Sequence, residues 1–120
     1  MSKKILILDD DSDILEILTI VLSEAGYEVK AIENGEAVFE DIANFRPDLI
    51  LMDVMLAGMD GRIICRNIKG DPSTANLPVI LISGTHDLAQ SLHLPGAPND
   101  FISKPFDIHN LLIRIAGQFA

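Results

Sequence analysis

Three short apolar runs in this chain each end on a polar residue. They are Ile5-Leu6-Ile7-Leu8, stopped by Asp9; Leu49-Ile50-Leu51-Met52, stopped by Asp53; and Val79-Ile80-Leu81-Ile82, stopped by Ser83. Runs of four with no polar alternation read as strands buried on both faces. Between them the period changes. Ile14, Leu15, Leu18, Val21, Leu22 and Ala25 recur at helical spacing, and Gly26 follows as a stop. Tyr27 to Ile32 reads as a second strand, Asn34-Gly35 as a turn, and Glu36 to Asn44 as a short helix with Val38, Phe39 and Ile42 inward. Beyond Asp53, a loop with Gly58 and Gly61 leads to a helix whose apolar positions are Ile63, Ile64, Cys65 and Ile68. Asp71-Pro72 and Pro78 bracket another loop. The stretch from Thr85 to Asn99 is the least regular, and Pro95-Gly96-Ala97-Pro98 predicts a short or irregular helix there. Phe101-Ile102-Ser103 forms a fifth strand. Asp107 caps a last helix in which Ile108, Leu111, Leu112, Ile115 and Phe119 share a face. Five rounds of strand then helix predict an α/β domain spanning residues 1–120, with a parallel sheet covered on both sides.

Composition narrows the function. The formal net charge is −9, which argues against nucleic acid and anionic lipid as partners, since both recruit basic patches. The charge is uneven. Residues 1–60 hold fourteen acids against four bases, a net of −10, whereas residues 61–120 hold four acids against five bases, a net of +1. With Cys65 as the only cysteine, a disulfide framework within one chain is impossible. The N-terminus lacks the apolar stretch of a signal peptide, and no apolar run is long enough to span a membrane, so a cytoplasmic location is expected.

The strand ends collect the chemistry. Asp9 and Asp10 close the first strand, Asp53 the third and Ser83 the fourth, while Lys104 follows the fifth. In an open parallel sheet, ligands bind beyond the carboxyl ends of the strands, where the strand order reverses. If strands one and three are neighbours, three carboxylates converge. Two such charges about 4 Å apart repel by roughly 4 kcal/mol at an effective dielectric of about 20. A shared proton or a cation must relieve that. Carboxylates with open coordination positions suit Mg²⁺, which retains waters and shares its remaining sites with phosphate. Lys104 supplies a fixed positive charge, and an Asp is a chemically competent acceptor of a phosphoryl group.

Four segments, Ile5 to Asp11, Asp53 to Gly61, Ile82-Ser83-Gly84 and Asp100 to Phe106, together resemble the receiver domain of two-component response regulators, in order over the whole chain. The resemblance implies a flavodoxin-like (βα)5 doubly wound sheet in strand order 2-1-3-4-5. It implies that Asp53 is the phosphoacceptor. Mg²⁺ (or Mn²⁺) would be bound by Asp10, Asp53, the backbone carbonyl of Met55 and, through water, Asp9. Lys104 would pair with the phosphoryl group, Ser83 would hydrogen-bond it, and Phe101 would be an aromatic rotamer switch. Lys104-Pro105 would be a cis peptide. The phosphoryl donor would be a phosphohistidine on a sensor histidine kinase or a histidine phosphotransfer protein. Output would pass through protein contacts to a downstream partner, with no output domain within this chain. The chain departs from the family pattern where Ser83 stands for the commoner Thr, Phe101 for Tyr and Ala57 for the usual Pro, which loosens the loop after Asp53; an apolar Met55 also lies near the path of an attacking water.

Other readings compete. A phosphatase of the haloacid dehalogenase type would use Asp9 as nucleophile and Asp11 as acid/base. That family expects Thr or Val where this chain has Asp13. A flavodoxin-type FMN carrier needs a Ser/Thr/Gly-rich phosphate loop where this chain has three consecutive acids. Asp9, Asp11 and Asp13 share the opening spacing of a calcium-binding EF-hand, but Ile14 and Ile20 replace its Gly and Glu. Asp11 and Asp13 read as helix-start residues, Cys65 as core, Asp60-Gly61 as a turn and helix start, and His86, His93 and His109 as surface residues.

Overall fold

The computed structural model describes residues 2–56, 58–84 and 96–120. The strands and helices, in chain order, are β1 (Lys4–Leu8), α1 (Ser12–Glu24), β2 (Glu28–Ile32), α2 (Val38–Phe45), β3 (Leu49–Asp53), β4 (Met55–Leu56), β5 (Met59–Asp60), α3 (Gly61–Gly70), β6 (Val79–Ser83), β7 (Asp100–Ser103) and α4 (Ile108–Gln118). Five strands form one sheet in the order β2-β1-β3-β6-β7, and every pairing within it is parallel. Counted along that sheet, the order is 2-1-3-4-5, the doubly wound flavodoxin-like arrangement.

Continuous apolar strands follow from burial on both faces, because successive side chains point to opposite sides. Leu6, Leu8, Ile50, Met52, Val79 and Leu81 pack with Val38 and Ile42 of α2 and with Ile64, Cys65 and Ile68 of α3. Their neighbours Ile5, Ile7, Leu49, Leu51, Ile80 and Ile82 pack with Leu15, Leu18 and Leu22 of α1 and with Leu111 and Ile115 of α4. One face therefore carries α1 and α4, the other α2 and α3.

Helix ends follow local chemistry. The Asp11 side chain accepts from the N–H groups of Asp13 and Ile14 and starts α1; Asp60 and Asp107 do the same for α3 and α4 through Arg62 and His109. Gly26, just past α1, takes a φ of +99°, which favours glycine.

The inward assignment of Phe39 is corrected, and two further apolar helix positions, Ile63 and Ile108, also reach solvent. Phe39, Ile63 and Ile108 are 40%, 52% and 43% exposed. At about 100° per residue, Phe39 lies about 80° from the middle of the Val38–Ile42 stripe and Ile63 about 150° from that of Ile64, Cys65 and Ile68, whereas Ile108 shares the face of Leu111 and Ile115 but opens α4. The loop expected after Asp53 contains a hairpin, in which Met55 opposes Asp60 and Leu56 opposes Met59. The helix expected between Thr85 and Asn99 falls largely on residues 85–95, outside the described ones, as do His86 and His93. Among the described residues, no helix is long and apolar enough to cross a membrane.

Candidate functional site

β1 and β3 are adjacent, with Leu8 beside Met52, yet the chain leaves β1 towards β2 and leaves β3 towards β6. The residues just beyond these two strands therefore face each other at the switch point. Oxygen atoms from Asp9, Asp10 and Asp53 lie within 4.8 Å of one another there. Asp9 and Asp53 are 1% and 4% exposed, while Asp10 faces solvent.

Each buried carboxylate is held differently. Asp9 Oδ1 accepts from the Asp11 N–H at 2.9 Å. Its Oδ2 has no hydrogen-bond donor among the described residues. Asp53 is bonded at both oxygens, Oδ1 by the Met55 N–H at 3.0 Å and Oδ2 by Lys104 Nζ at 2.6 Å. The same ammonium stands 3.5 Å from Asp9 Oδ2, at ion-pair rather than hydrogen-bond distance. Lys104 reaches across because its own N–H donates to the Ser83 carbonyl at 2.7 Å, which anchors the end of β7 to the end of β6. The Lys104-Pro105 peptide is cis.

The electrostatics follow from three acids sharing one lysine. Burial, joined by the charge of Asp53, raises the Asp9 carboxyl to about 6, against the lowering effects of the Asp11 N–H and Lys104. Burial alone would lower Lys104, but the hydrogen bond and charge of Asp53, with the charge of Asp9, hold it above its ordinary value. One lysine cannot neutralise three carboxylates. A buried carboxylate oxygen without a donor, beside two further carboxylates, fits a hard divalent cation.

The remaining expected residues lie at or near the same end of the sheet, or elsewhere in the fold, as follows. Ser83 is fully buried at the end of β6. Phe101, paired with Leu81, is half-buried against the α2–α3 core. Met55 is 69% exposed. His109 is on the exposed side of α4, and Cys65 is core, its thiol raised to about 11 by burial.

Two contributors were not singled out in the sequence. One is the Met55 main-chain N–H that binds Asp53; main-chain donors leave no mark in a sequence. The other is Gly61, packed against the Asp53 carbonyl. The Asp60-Gly61 pair was the available signal, but it reads equally as a turn.

The rival assignments fit the site poorly. The raised pKa of Asp9 works against a role as nucleophile. Asp11 spends its carboxylate capping α1 rather than facing the pocket.

Comparison with known proteins agrees. The profile of the response regulator receiver domain matches residues 5–116. The DNA-binding response regulator MtrA of Mycobacterium tuberculosis is 34% identical over 119 residues, covering 98% of this chain and 51% of its own. Response regulator PleD of Caulobacter vibrioides is 38% identical over 118 residues, covering 96% of this chain and 26% of its own. This chain thus spans about half or less of the length of these relatives. A crystal structure of a putative response regulator from Chloroflexus aurantiacus superposes with a TM-score of 0.89 at 32% identity, covering 98% of both chains. With its strand order, its Asp9/Asp10/Asp53 pocket and its apposed Lys104, the chain belongs to the response regulator receiver domain family, a signalling module of two-component systems.

Proposed function

We propose that Asp53 accepts a phosphoryl group from a phosphohistidine on a sensor histidine kinase or a histidine phosphotransfer protein, in the cytoplasm. The observation that carries this reading is the pairing of Asp53 Oδ2 with Lys104 Nζ at 2.6 Å inside a three-carboxylate pocket. The P–N bond of the donor breaks, a P–O bond to Asp53 forms, and the imidazole leaves with the electron pair. Asp10 and Asp53 directly, Asp9 mainly through water, and the Met55 carbonyl would hold Mg²⁺ (or Mn²⁺), which supplies neutralising charge for the phosphoryl oxygens. Lys104 releases Asp53 and pairs with the new phosphoryl group, a short move for an ammonium already in the pocket. Ser83 donates its hydroxyl to the same group and draws the end of β6 inward. Phe101, one strand over, changes rotamer with it, and the altered surface is read by a downstream protein. The net charge of −9 disfavours nucleic acid as a partner of these residues.

With acetyl phosphate and Mg²⁺, the wild-type protein gains a phosphoryl adduct by intact mass, and Asp53→Asn gains none. An adduct retained by Asp53→Asn defeats the assignment. Met55 presents a thioether rather than an amide or carboxylate at the mouth of the site, so it cannot orient an attacking water as Asn would. Met55→Asn should therefore lose its phosphoryl group severalfold faster than wild type; equal or slower loss in a chase after donor removal rejects this.

A further inference from the structure

A backbone contact behind Asp53 plays no part in the chemistry above. Val54 is held from both sides: its N–H donates to the Ile82 carbonyl at 2.9 Å, and its carbonyl accepts from the Gly61 N–H at 2.8 Å. The chain between Val54 and Gly61 is thus a closed excursion containing the β4–β5 hairpin. Gly61 closes it by lying directly on the Asp53 peptide. A Cβ on Gly61 would overlap the Asp53 carbonyl oxygen and stand 3.0 Å from Val54 Cα and 3.1 Å from the Asp53 carbonyl carbon. All three atoms are main chain and cannot rotate away. Gly35 provides the contrast, because an added Cβ there meets the tip of Ile64 at 2.6 Å, the end of a flexible side chain.

The excursion also delivers the Met55 N–H to Asp53 Oδ1. Closure at Gly61 therefore fixes the main chain of Asp53 from behind and one carboxylate oxygen from in front, leaving Lys104 to hold the other. We propose that Gly61 is a positioning residue for Asp53: its missing side chain lets the hairpin close and aim the carboxylate into the pocket. This rests on the reading of Asp53 as acceptor. Displacing a reacting atom by about 1 Å can lower a rate by about a hundredfold, so even a small lift of the hairpin is measurable.

The test uses the full 120-residue chain, ¹⁵N-labelled, with acetyl phosphate and Mg²⁺ well below each variant's melting midpoint. Gly61→Ala should take up phosphate about tenfold to a hundredfold more slowly than wild type. Its Met55 amide resonance should move upfield, a signature that general destabilisation does not produce. Gly117→Ala, in α4 with nothing within 4 Å of an added Cβ, should match wild type in both. A wild-type rate in Gly61→Ala, a slower rate with an unmoved Met55 amide, or equal slowing in Gly117→Ala overturns the proposal. Should Gly61→Ala fail to fold, Gly58→Ala strains the hairpin turn instead, at a φ of +71° and with nothing within 4 Å. The same upfield movement with slower uptake is then expected, and an unmoved amide overturns the proposal. An adduct retained by Asp53→Asn removes the underlying acceptor reading instead, so the two failures are distinguishable.

Discussion

The two ends of the β1–β3 strand pair treat charge in opposite ways. At the amino end, the Lys4 N–H donates to Asp48 Oδ2 at 2.8 Å, and Lys4 Nζ donates to the Phe45 carbonyl at 3.3 Å and lies 4.0 Å from Glu28. These groups are well solvated, with 38% and 56% of the Lys4 and Glu28 side chains exposed. At the carboxyl end, Asp9 and Asp53 are buried, Asp10 adds a third negative charge, and among the described residues Lys104 is the one cation paired with them. The same two strands thus end once in satisfied surface charge and once in concentrated repulsion. The amino end serves the fold. The carboxyl end concentrates a charge imbalance of the kind that a divalent cation relieves.

The largest effect expected from this contrast is on Asp9. Its rise from 3.8 to about 6 corresponds to about 2–3 kcal/mol of stability withheld from the metal-free protein at neutral pH. Asp9→Asn should recover an amount of that order at pH 7, read by urea denaturation; an unchanged or lower midpoint would mean that Asp9 is not strained. Because folded Asp9 binds its proton more tightly than the unfolded chain does, the benefit of that proton is complete below about pH 4. It is lost as pH rises through about 6. Metal-free wild type should lose stability across this window, and Asp9→Asn should show a flatter profile. Asp60, lowered by its hydrogen bond with Arg62, acts in the opposite direction but below about pH 4, outside the window. Millimolar Mg²⁺ should raise the wild-type midpoint at pH 7 and narrow its gap to Asp9→Asn, since a ligand of the folded state alone stabilises it. The smallest effect belongs to the other end: Glu28→Gln should change stability by no more than about 0.5 kcal/mol, as for exposed ion pairs generally. A cost comparable to the Asp9 effect would erase the distinction.

What the sequence revealed follows the same division. Continuous runs such as Leu49 to Met52 identify doubly covered strands, because only burial on both faces tolerates four apolar residues in succession. Acids that stop such runs identify the pocket, because an acid abutting a buried strand is not an ordinary surface residue. Side-chain pattern does not say how far each helix rolls onto the sheet, so Phe39 reads as inward although solvent reaches it. Nor could it reveal main-chain donors or close approaches, which is why the Met55 N–H and the Gly61 contact emerged only from the fold. These two features do not depend on the polarity of a side chain.

The bond from Lys104 to Asp53 joins residues 51 positions apart. The two come from β3 and from just beyond β7, and β6 lies between them in the sheet. No contiguous fragment shorter than this span can assemble the pair. On the proposed acceptor reading of Asp53, uptake of phosphate reports that β3, β6 and β7 have closed into one sheet. In a refolding experiment its appearance times the docking of the last strand, and in a truncation or permutation series it reports which chains still close the sheet.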